Sequence, residues 1–166
     1  CELLTGAYLV ARRKGRAEIS VGAFRNGDNR GLVALSGARF GDVGQLLLAG
    51  KHEQAVARAK LWAELFPGSY YLEVQRPAGR GQPQHEALID ATAHVAAQLQ
   101  LPVVATHPVQ FIDTDDFKAH EARVCIAQGY TLSDQRRPKL HSPEQYFKTR
   151  AEMAEAFKDV PQALAN

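Results

Sequence analysis

The sequence predicts an α/β fold in which helices cover a parallel β-sheet. Three short, mostly apolar segments, 32–37, 70–76 and 101–107, alternate with longer segments whose apolar residues recur at helical spacing. Nearly continuous apolar strands are typical of parallel sheets that are buried on both faces. With 166 residues, 45% of them hydrophobic, the chain can bury one core, so we expect one compact unit.

The first third of the chain predicts a helix, a turn, a strand and a second helix. Apolar residues from Leu3 to Ala11 share one helical face and stop near Gly15, so we expect a helix that ends in a basic turn. Segment 25–31 contains glycine and asparagine and is typical of a turn before the strand 32–37. The glycine-bounded stretch 39–50 predicts a short helix.

The middle of the chain predicts two helix and strand units. The apolar pattern from His52 to Phe66 indicates an amphipathic helix that ends at Pro67 and Gly68. Segment 70–76 is aromatic and β-branched, as strands are. A glycine- and proline-rich loop then leads to a helix over 84–98 and to the strand 101–107.

The last third predicts helices only. A helix from Asp113 to Gln128 begins with aspartates, which the positive end of a helix favours, and Gly129 follows it as a stop signal. Pro143 suits the first position of another helix. Thr149 and Glu152 form a capping box for a third, and Pro161 begins a fourth.

Function in parallel α/β proteins gathers where the strands end. The predicted strand ends offer Glu73 and His107 as possible metal ligands. Two ligands rarely hold zinc, because structural sites use four and catalytic sites typically three. His107 can equally be a hydrogen-bonded imidazole, and Glu73 can be the remnant of a metal site or the partner of an arginine.

Further acidic and histidine side chains leave two interpretations open. Asp113, Asp115 and Asp116 could bind Mg²⁺, or they could simply stabilise the start of a helix. His120 and Glu121 could act as general acids with Asp116, or they could be surface or interdomain contacts.

Charge and motifs exclude some functions. Twenty Lys and Arg against 18 Asp and Glu give a net charge of +2, which is too small for a strongly basic nucleic-acid-binding module. The clusters Arg12–Lys14 and Arg136, Arg137 and Lys139 could contact a nucleic-acid backbone or be solvated surface. The glycine-rich stretch 37–44 contains no lysine, so it does not predict a phosphate-binding loop.

Cysteine content and targeting signals predict a soluble, cytoplasmic protein. Cys1 and Cys125 are too few for a disulfide framework, and the sequence has neither a signal peptide nor an 18-residue apolar run, so we expect no membrane contact. The only methionine is Met153, and a full βα barrel needs roughly 200–250 residues. We therefore expect the chain to be a piece of a longer protein.

Whole phrases of the sequence are more specific than these short patterns. The chain resembles the PHP domain of the bacterial DNA polymerase III alpha subunit, a C-family replicative polymerase, in the phrases LVALSGARFGDVGQLLLAG, FPGSYYLEVQR, LPVVATHPVQFIDTDDFKAHEARVCIAQGYTLSD and PEQYFKTRAEMAEAFKDVPQALAN. The resemblance covers nearly everything beyond about residue 30.

The resemblance implies a fold and a domain organisation. In the family, the PHP domain is a (β/α)7 barrel at the start of a much longer subunit, and its complete form carries a trinuclear metal site that is thought to serve proofreading. By this resemblance, residues 1–130 are part of a PHP barrel, and residues 131–166 are a loop and helical extension leading towards the polymerase core.

The resemblance also implies that the metal site is degenerate here. Metal-competent relatives read LSGC, EIQNHG and ATNDVHY at three places. By this comparison Ala38 replaces the cysteine, Pro77 a histidine, Pro108 an aspartate and Gln110 a histidine. His107 stands where asparagine is usual and inherits no ligand role.

We therefore expect a metal-free scaffold that docks the separate exonuclease (epsilon) subunit and packs against the polymerase core. The parent would be a DNA-directed DNA polymerase, a nucleotidyltransferase that uses Mg²⁺ and binds DNA, but this segment alone carries no polymerase aspartates. The alternative is an active metal-dependent phosphoesterase or 3′–5′ exonuclease that binds a divalent metal through Glu73, His107 and the Asp113–Asp116 run.

Overall fold

A computed structural model of the chain describes residues 2–9, 17–26, 29–79 and 81–166. Within these ranges the helices and strands are, in chain order, α1 (Glu2–Leu9), α2 (Val21–Asn26), β1 (Ala34–Leu35), α3 (Asp42–Leu48), α4 (His52–Leu65), β2 (Tyr70–Gln75), α5 (Pro83–Leu99), β3 (Val103–Thr106), α6 (Phe117–Gln128) and α7 (Arg150–Ala156). Single turns of 3-10 helix occupy Ala38–Phe40, Thr114–Asp116 and Pro161–Ala163.

The strands form one parallel sheet in the order β1, β2, β3. Leu72 pairs with Val103 and Gln75 with Thr106, so β2 and β3 end at the same level. The predicted α/β class with a parallel sheet and covering helices is confirmed. Three strands are seen in the part of the chain that the structure describes, so a complete seven-stranded barrel is not formed there.

The core lies between β2, β3 and the helices α4 and α5. Ala55 and Ala59 of α4 are fully buried one turn apart, because their small side chains let the helix lie close to its neighbours. The other buried core residues are apolar: Val43, Phe66, Tyr70, Leu72, Val74, Ile89, Val95, Ala96, Val103, Phe157 and Ala163.

Helix boundaries follow the sequence signals closely in the middle of the chain. Pro83 occupies the first turn of α5, and Gln100 ends that helix with a φ of 54°. Gly129 ends α6 in the left-handed conformation, with a φ of 73°, as predicted. The capping box of Thr149 and Glu152 at the start of α7 is also confirmed.

Several local predictions are wrong. β1 has two residues, not six, and α2 was not predicted. The expected helix at Pro143 is absent from this described segment. Instead, the Gln145 side chain folds back towards Ser142, and its Oε1 accepts a hydrogen bond from Ser142 N at 2.9 Å. The chain then extends so that Tyr146 bridges to Phe111.

The predicted first helix and the basic cluster after it lie partly or wholly outside the described residues. α1 is described only to Leu9, and the basic cluster Arg12–Lys14 lies outside the described residues, as does Cys1. None of the described helices is long and apolar enough to cross a membrane.

The C-terminal segment returns to the sheet. Phe157 and Ala163 are buried in the same core as Leu72 and Val103. The side-chain amide of Asn166 donates to Val103 O at 3.0 Å. The region predicted as an extension beyond residue 130 therefore contributes residues to the core of the sheet.

Candidate functional site

Polar side chains from all three strands meet where the sheet ends. Ser36 follows β1, Glu73 and Gln75 lie on β2, and Thr106 is the last residue of β3. The register places Gln75 beside Thr106, so the side chains of the two longer strands are neighbours. This brings Glu73, a predicted candidate ligand, to the expected end of the sheet.

Neutral groups surround the Glu73 carboxylate. The Thr106 hydroxyl donates to Glu73 Oε1, and Gln75 Nε2 donates to the same oxygen at 3.0 Å and to Thr106 Oγ1 at 2.9 Å. Glu73 N donates to Ser36 Oγ at 2.9 Å. Because Glu73 is buried, these hydrogen bonds compensate for the water it has lost. They also tie the ends of the three strands together.

A small cavity of about 10 Å³ adjoins this network and includes Ala38, Glu73, Pro77 and His85 in its lining. A cavity of this size has room for about one water molecule. The side chains of Ala38 and Pro77 carry no donor atom for a metal ion. The structure thus brings these two positions and Glu73 together around one cavity.

The glycine-rich stretch beside Ala38 serves close packing. A Cβ at Gly44 would lie 1.9 Å from Ala38 O, and one at Gly41 would lie 1.7 Å from Ser36 O. Only glycine fits such a close approach of two backbone segments. The stretch therefore positions the turn after β1.

Sequence reasoning did not single out His85. It lies in the first turns of α5, and its Nδ1 is buried without a hydrogen-bond partner among the described residues. Burial lowers the pKa of His85, and the charge of Arg39 lowers it further. A lone histidine at the start of a helix, after a loop, carries no sequence signal for a position beside the strand ends.

His107 does not share this cavity with Glu73. It lines a separate groove of about 280 Å³ whose other lining residues include Arg76, Tyr146 and Lys148. The His107 Nε2 lies 2.7 Å from Glu144 O, and burial lowers the pKa of the imidazole. This is the hydrogen-bonded alternative that the sequence left open.

Pro108 and Gln110, the other two positions at which the resemblance implies a replaced metal ligand, follow His107 closely in the chain. Pro108 O accepts from Gln145 Nε2 at 3.1 Å, and Gln110 N donates to Gln145 O at 2.8 Å. The Gln110 residue itself is exposed. Both positions thus anchor the segment that contains Gln145 to the end of β3.

The acidic run after β3 forms the start of a helix. Asp113 N donates to Asp116 Oδ2 at 3.1 Å in a capping box, and Asp115 is exposed. This geometry is the helix-stabilising alternative for these carboxylates.

His120 and Glu121 contact basic side chains. His120 Nδ1 accepts from Arg123 Nη2 at 3.1 Å, and its ring meets the His141 ring edge-on at a centroid distance of 4.6 Å. Glu121 accepts from Arg137 in a largely buried ion pair. These contacts join α6 to the loop that follows it.

The predicted nucleic-acid contacts are partly engaged within the chain. Arg136 binds Asp134 at 2.8 Å, and Arg137 binds Glu121. Lys139 is exposed. Binding of nucleic acid by these residues remains a prediction.

The most heavily bonded side chain near the strand ends is Arg76, for which the sequence suggested no role. Its guanidinium is 1% exposed and binds Glu86 at 2.5 Å and Asp159 at 2.7 Å. It also donates to Ala156 O and lies 4.9 Å from the centre of the Phe157 ring. The hydrogen bond from Arg76 lowers the pKa of Glu86.

Arg76 thus connects β2, α5 and the C-terminal segment.

A metal centre would need three or four histidine, cysteine or carboxylate side chains that converge on one point. Across the described ranges, no group of three or more His, Cys, Asp and Glu side chains is arranged to hold a metal ion.

Comparisons with known proteins agree with the resemblance seen in the sequence. Residues 2–77 match the PHP domain family. The DNA polymerase III alpha subunit of Neisseria meningitidis serogroup A is 49% identical over 166 residues, covering 99% of this chain and 14% of the relative. The Escherichia coli K12 subunit is 46% identical over 138 residues, covering 83% and 12%. The Pseudomonas aeruginosa subunit is 46% identical over 136 residues, covering 82% and 11%.

The chain therefore spans about a seventh or less of the length of these curated relatives. The matched residues include the site described above, from Glu73 at the strand ends to the C-terminal segment for the relative that aligns over 99% of the chain. Residues 2–77 thus match the PHP domain family, and the chain as a whole is similar to a segment of bacterial DNA polymerase III alpha subunits.

Proposed function

We propose that this chain is part of the alpha subunit of a replicative DNA polymerase and that its PHP segment is a metal-free scaffold on which the proofreading exonuclease subunit docks. The observation that carries the proposal is the donor set at the strand ends. One carboxylate, Glu73, faces a cavity whose neighbouring positions are Ala38 and Pro77. Neither of these residues can bind a cation through its side chain.

The hydrogen bonds of Glu73 support the same proposal. Its Oε1 already accepts from Thr106 and Gln75, which are neutral donors. A carboxylate that binds a metal would have to exchange these bonds for the cation, and no second carboxylate of the described residues lines the same cavity. His85 also lines this cavity, so Glu73 and His85 would offer two ligands, whereas zinc typically needs at least three protein ligands.

A scaffold needs rigidity at the place where a cation would otherwise join the strands. Here hydrogen bonds between Ser36, Glu73, Gln75 and Thr106 link β1, β2 and β3. The Arg76 ion pairs extend the connection to α5 and the C-terminal segment. The strand ends are therefore stabilised by the chain's own side chains. The Mg²⁺ of the polymerase reaction would be held by residues outside this chain.

The test uses the full-length alpha subunit that contains this segment. We expect elemental analysis of the purified subunit to find zinc, manganese and iron far below equimolar amounts. We also expect surface plasmon resonance to detect binding of the exonuclease subunit. As a matched variant, Glu73→Gln should leave the metal content unchanged.

The opposite result would support the alternative activity. Equimolar transition metal that is lost in Glu73→Gln, together with chelator-sensitive 3′–5′ cleavage of a primer end, would identify an active metal-dependent exonuclease. A subunit that fails to bind the exonuclease would remove the docking part of the proposal and leave the metal part standing.

A further inference from the structure

Two residues with large, exposed apolar side chains, Ile112 and Phe147, lie on neighbouring backbone segments that follow β3 in the chain. Ile112 is 72% exposed and Phe147 is 70% exposed. A backbone hydrogen bond joins them, from Phe147 N to Ile112 O at 3.1 Å. We call this pair the 112/147 patch. Neither residue belongs to the core, so this pair does not stabilise the fold through burial.

A bridge and several hydrogen bonds join the backbone segments beneath the 112/147 patch. Phe111, which is buried, and Tyr146 form a parallel bridge between the two segments. Gln145 fixes the same region through the bonds from Gln110 N and to Pro108 O. A patch on such a preorganised surface loses little conformational entropy when a partner binds.

The two chain segments that contain the 112/147 patch are net acidic, although the chain as a whole is not. Segments 109–118 and 144–152 together contain five carboxylates and three cations, whereas the whole chain has a net charge of +2. Three of these carboxylates, on Asp113, Asp115 and Asp116, are on exposed residues directly after Ile112. The two segments that contain the patch therefore have a net charge opposite in sign to that of the chain.

The cation that follows Phe147 is turned away from solvent. Lys148 is 8% exposed, and its Nζ lies 3.9 Å from the centre of the Tyr146 ring and 3.0 Å from Glu144 Oε2. Its charge is thus already paired. Exposed Lys118 and Arg150 remain as the other two cations in these segments.

We propose that the 112/147 patch docks a protein segment that presents an apolar side chain flanked by lysine or arginine. An acidic rim attracts such a segment and repels the phosphates of DNA, so a protein is the favoured partner. Paired large apolar residues surrounded by polar groups are typical of the centre of an interface. The inference rests on the proposed function in one respect: the partner is then the exonuclease subunit.

The experiment measures exonuclease binding to the full-length alpha subunit by surface plasmon resonance. We expect Phe147→Asp and Phe147→Ala to weaken binding by about 30-fold or more, which is the scale of an interface hot spot. The matched control is Ile126→Asp on α6, where the apolar residue is 82% exposed but lies outside the two segments. It should change the affinity less than about threefold.

The charge argument has its own variant. Asp115→Asn removes one exposed carboxylate that is not part of the capping box. It should slow association at low salt and have little effect at high salt, because rim charges act mainly on the association rate. If the association rate does not depend on salt in the wild-type subunit or in Asp115→Asn, the choice of a basic partner segment is contradicted.

Each remaining outcome decides between the two proposals. If the wild-type subunit binds the exonuclease and Phe147→Asp binds it equally well, the 112/147 patch is the wrong surface and the docking function stands. If Phe147→Asp instead lowers polymerase activity or the melting temperature, the patch is covered by the alpha subunit itself, and the inference is wrong. If the wild-type subunit does not bind the exonuclease, the proposed docking function and the inference fail together.

Discussion

Replacing Arg76 should destabilise this chain more than replacing any surface arginine. The change Arg76→Met keeps most of the length of the side chain and removes the charge and all its hydrogen bonds. These bonds link Arg76 to Glu86, to Asp159 and to the backbone of Ala156. Breaking a buried ion pair by removing one partner typically costs about 3–5 kcal/mol.

The expected cost for Arg76→Met is about 3 kcal/mol, at the lower end of that range. The reason is that Glu86 and Asp159 are 30% and 38% exposed, so water can solvate them once the arginine is gone. Methionine also retains part of the contact with the Phe157 ring. A loss of this size is a large share of the about 5–15 kcal/mol that stabilises a typical domain.

Urea denaturation of the purified chain, followed by circular dichroism, measures this change in the free energy of unfolding. The control is Arg136→Met, because Arg136 is 86% exposed and its pair with Asp134 is solvated. We expect that control to change the free energy by less than about 1 kcal/mol. If Arg76→Met and Arg136→Met are equally mild, Arg76 does not hold the C-terminal segment to the sheet, and the reasoning from its burial is refuted.

Three further predictions concern pH, packing and helix capping. Burial lowers the pKa values of His85, His107 and His120 below about 6.5, the value expected in the unfolded chain. The unfolded state therefore takes up more protons as the pH falls below about 7, and the free energy of unfolding measured at constant urea should decrease from pH 7.5 to pH 5.5, not increase. Gly44→Ala places a Cβ 1.9 Å from Ala38 O, a backbone oxygen of the preceding turn. It should lower the urea midpoint by an amount equivalent to about 1–3 kcal/mol. An unchanged midpoint would contradict this close packing. Thr149→Ala removes the cap of α7 and should cost about 1 kcal/mol, whereas Thr149→Ser should restore most of it.

The elements that the sequence predicts well are those with strong local signals. The spacing of apolar residues predicts α4 and α5, and Gly129 marks the end of α6. Local signals mislead where a distant contact competes with them. Pro143 is acceptable at a helix start, but Gln145 bonds to Ser142 and Pro108 instead, and the chain there pairs with the residues after β3.

In the candidate site, too, the sequence predicts some features, whereas others depend on contacts between distant residues. The sequence pattern predicts the three strands and the residues at their ends, but not the strand order and register that place Glu73 near Ala38 and Pro77. The separation of His107 into another groove does not follow from the pattern, because it depends on the Glu144 backbone, 37 residues further along the chain.

Arg76 shows why contacts between distant residues escape sequence reasoning. Its partners are Glu86, ten residues away, and Asp159, 83 residues away, and no short motif relates three such positions. The two carboxylates stabilise the charge of Arg76 in its buried position, since an unpaired buried cation is costly. The end of β2 therefore depends on the C-terminal segment for its own stability.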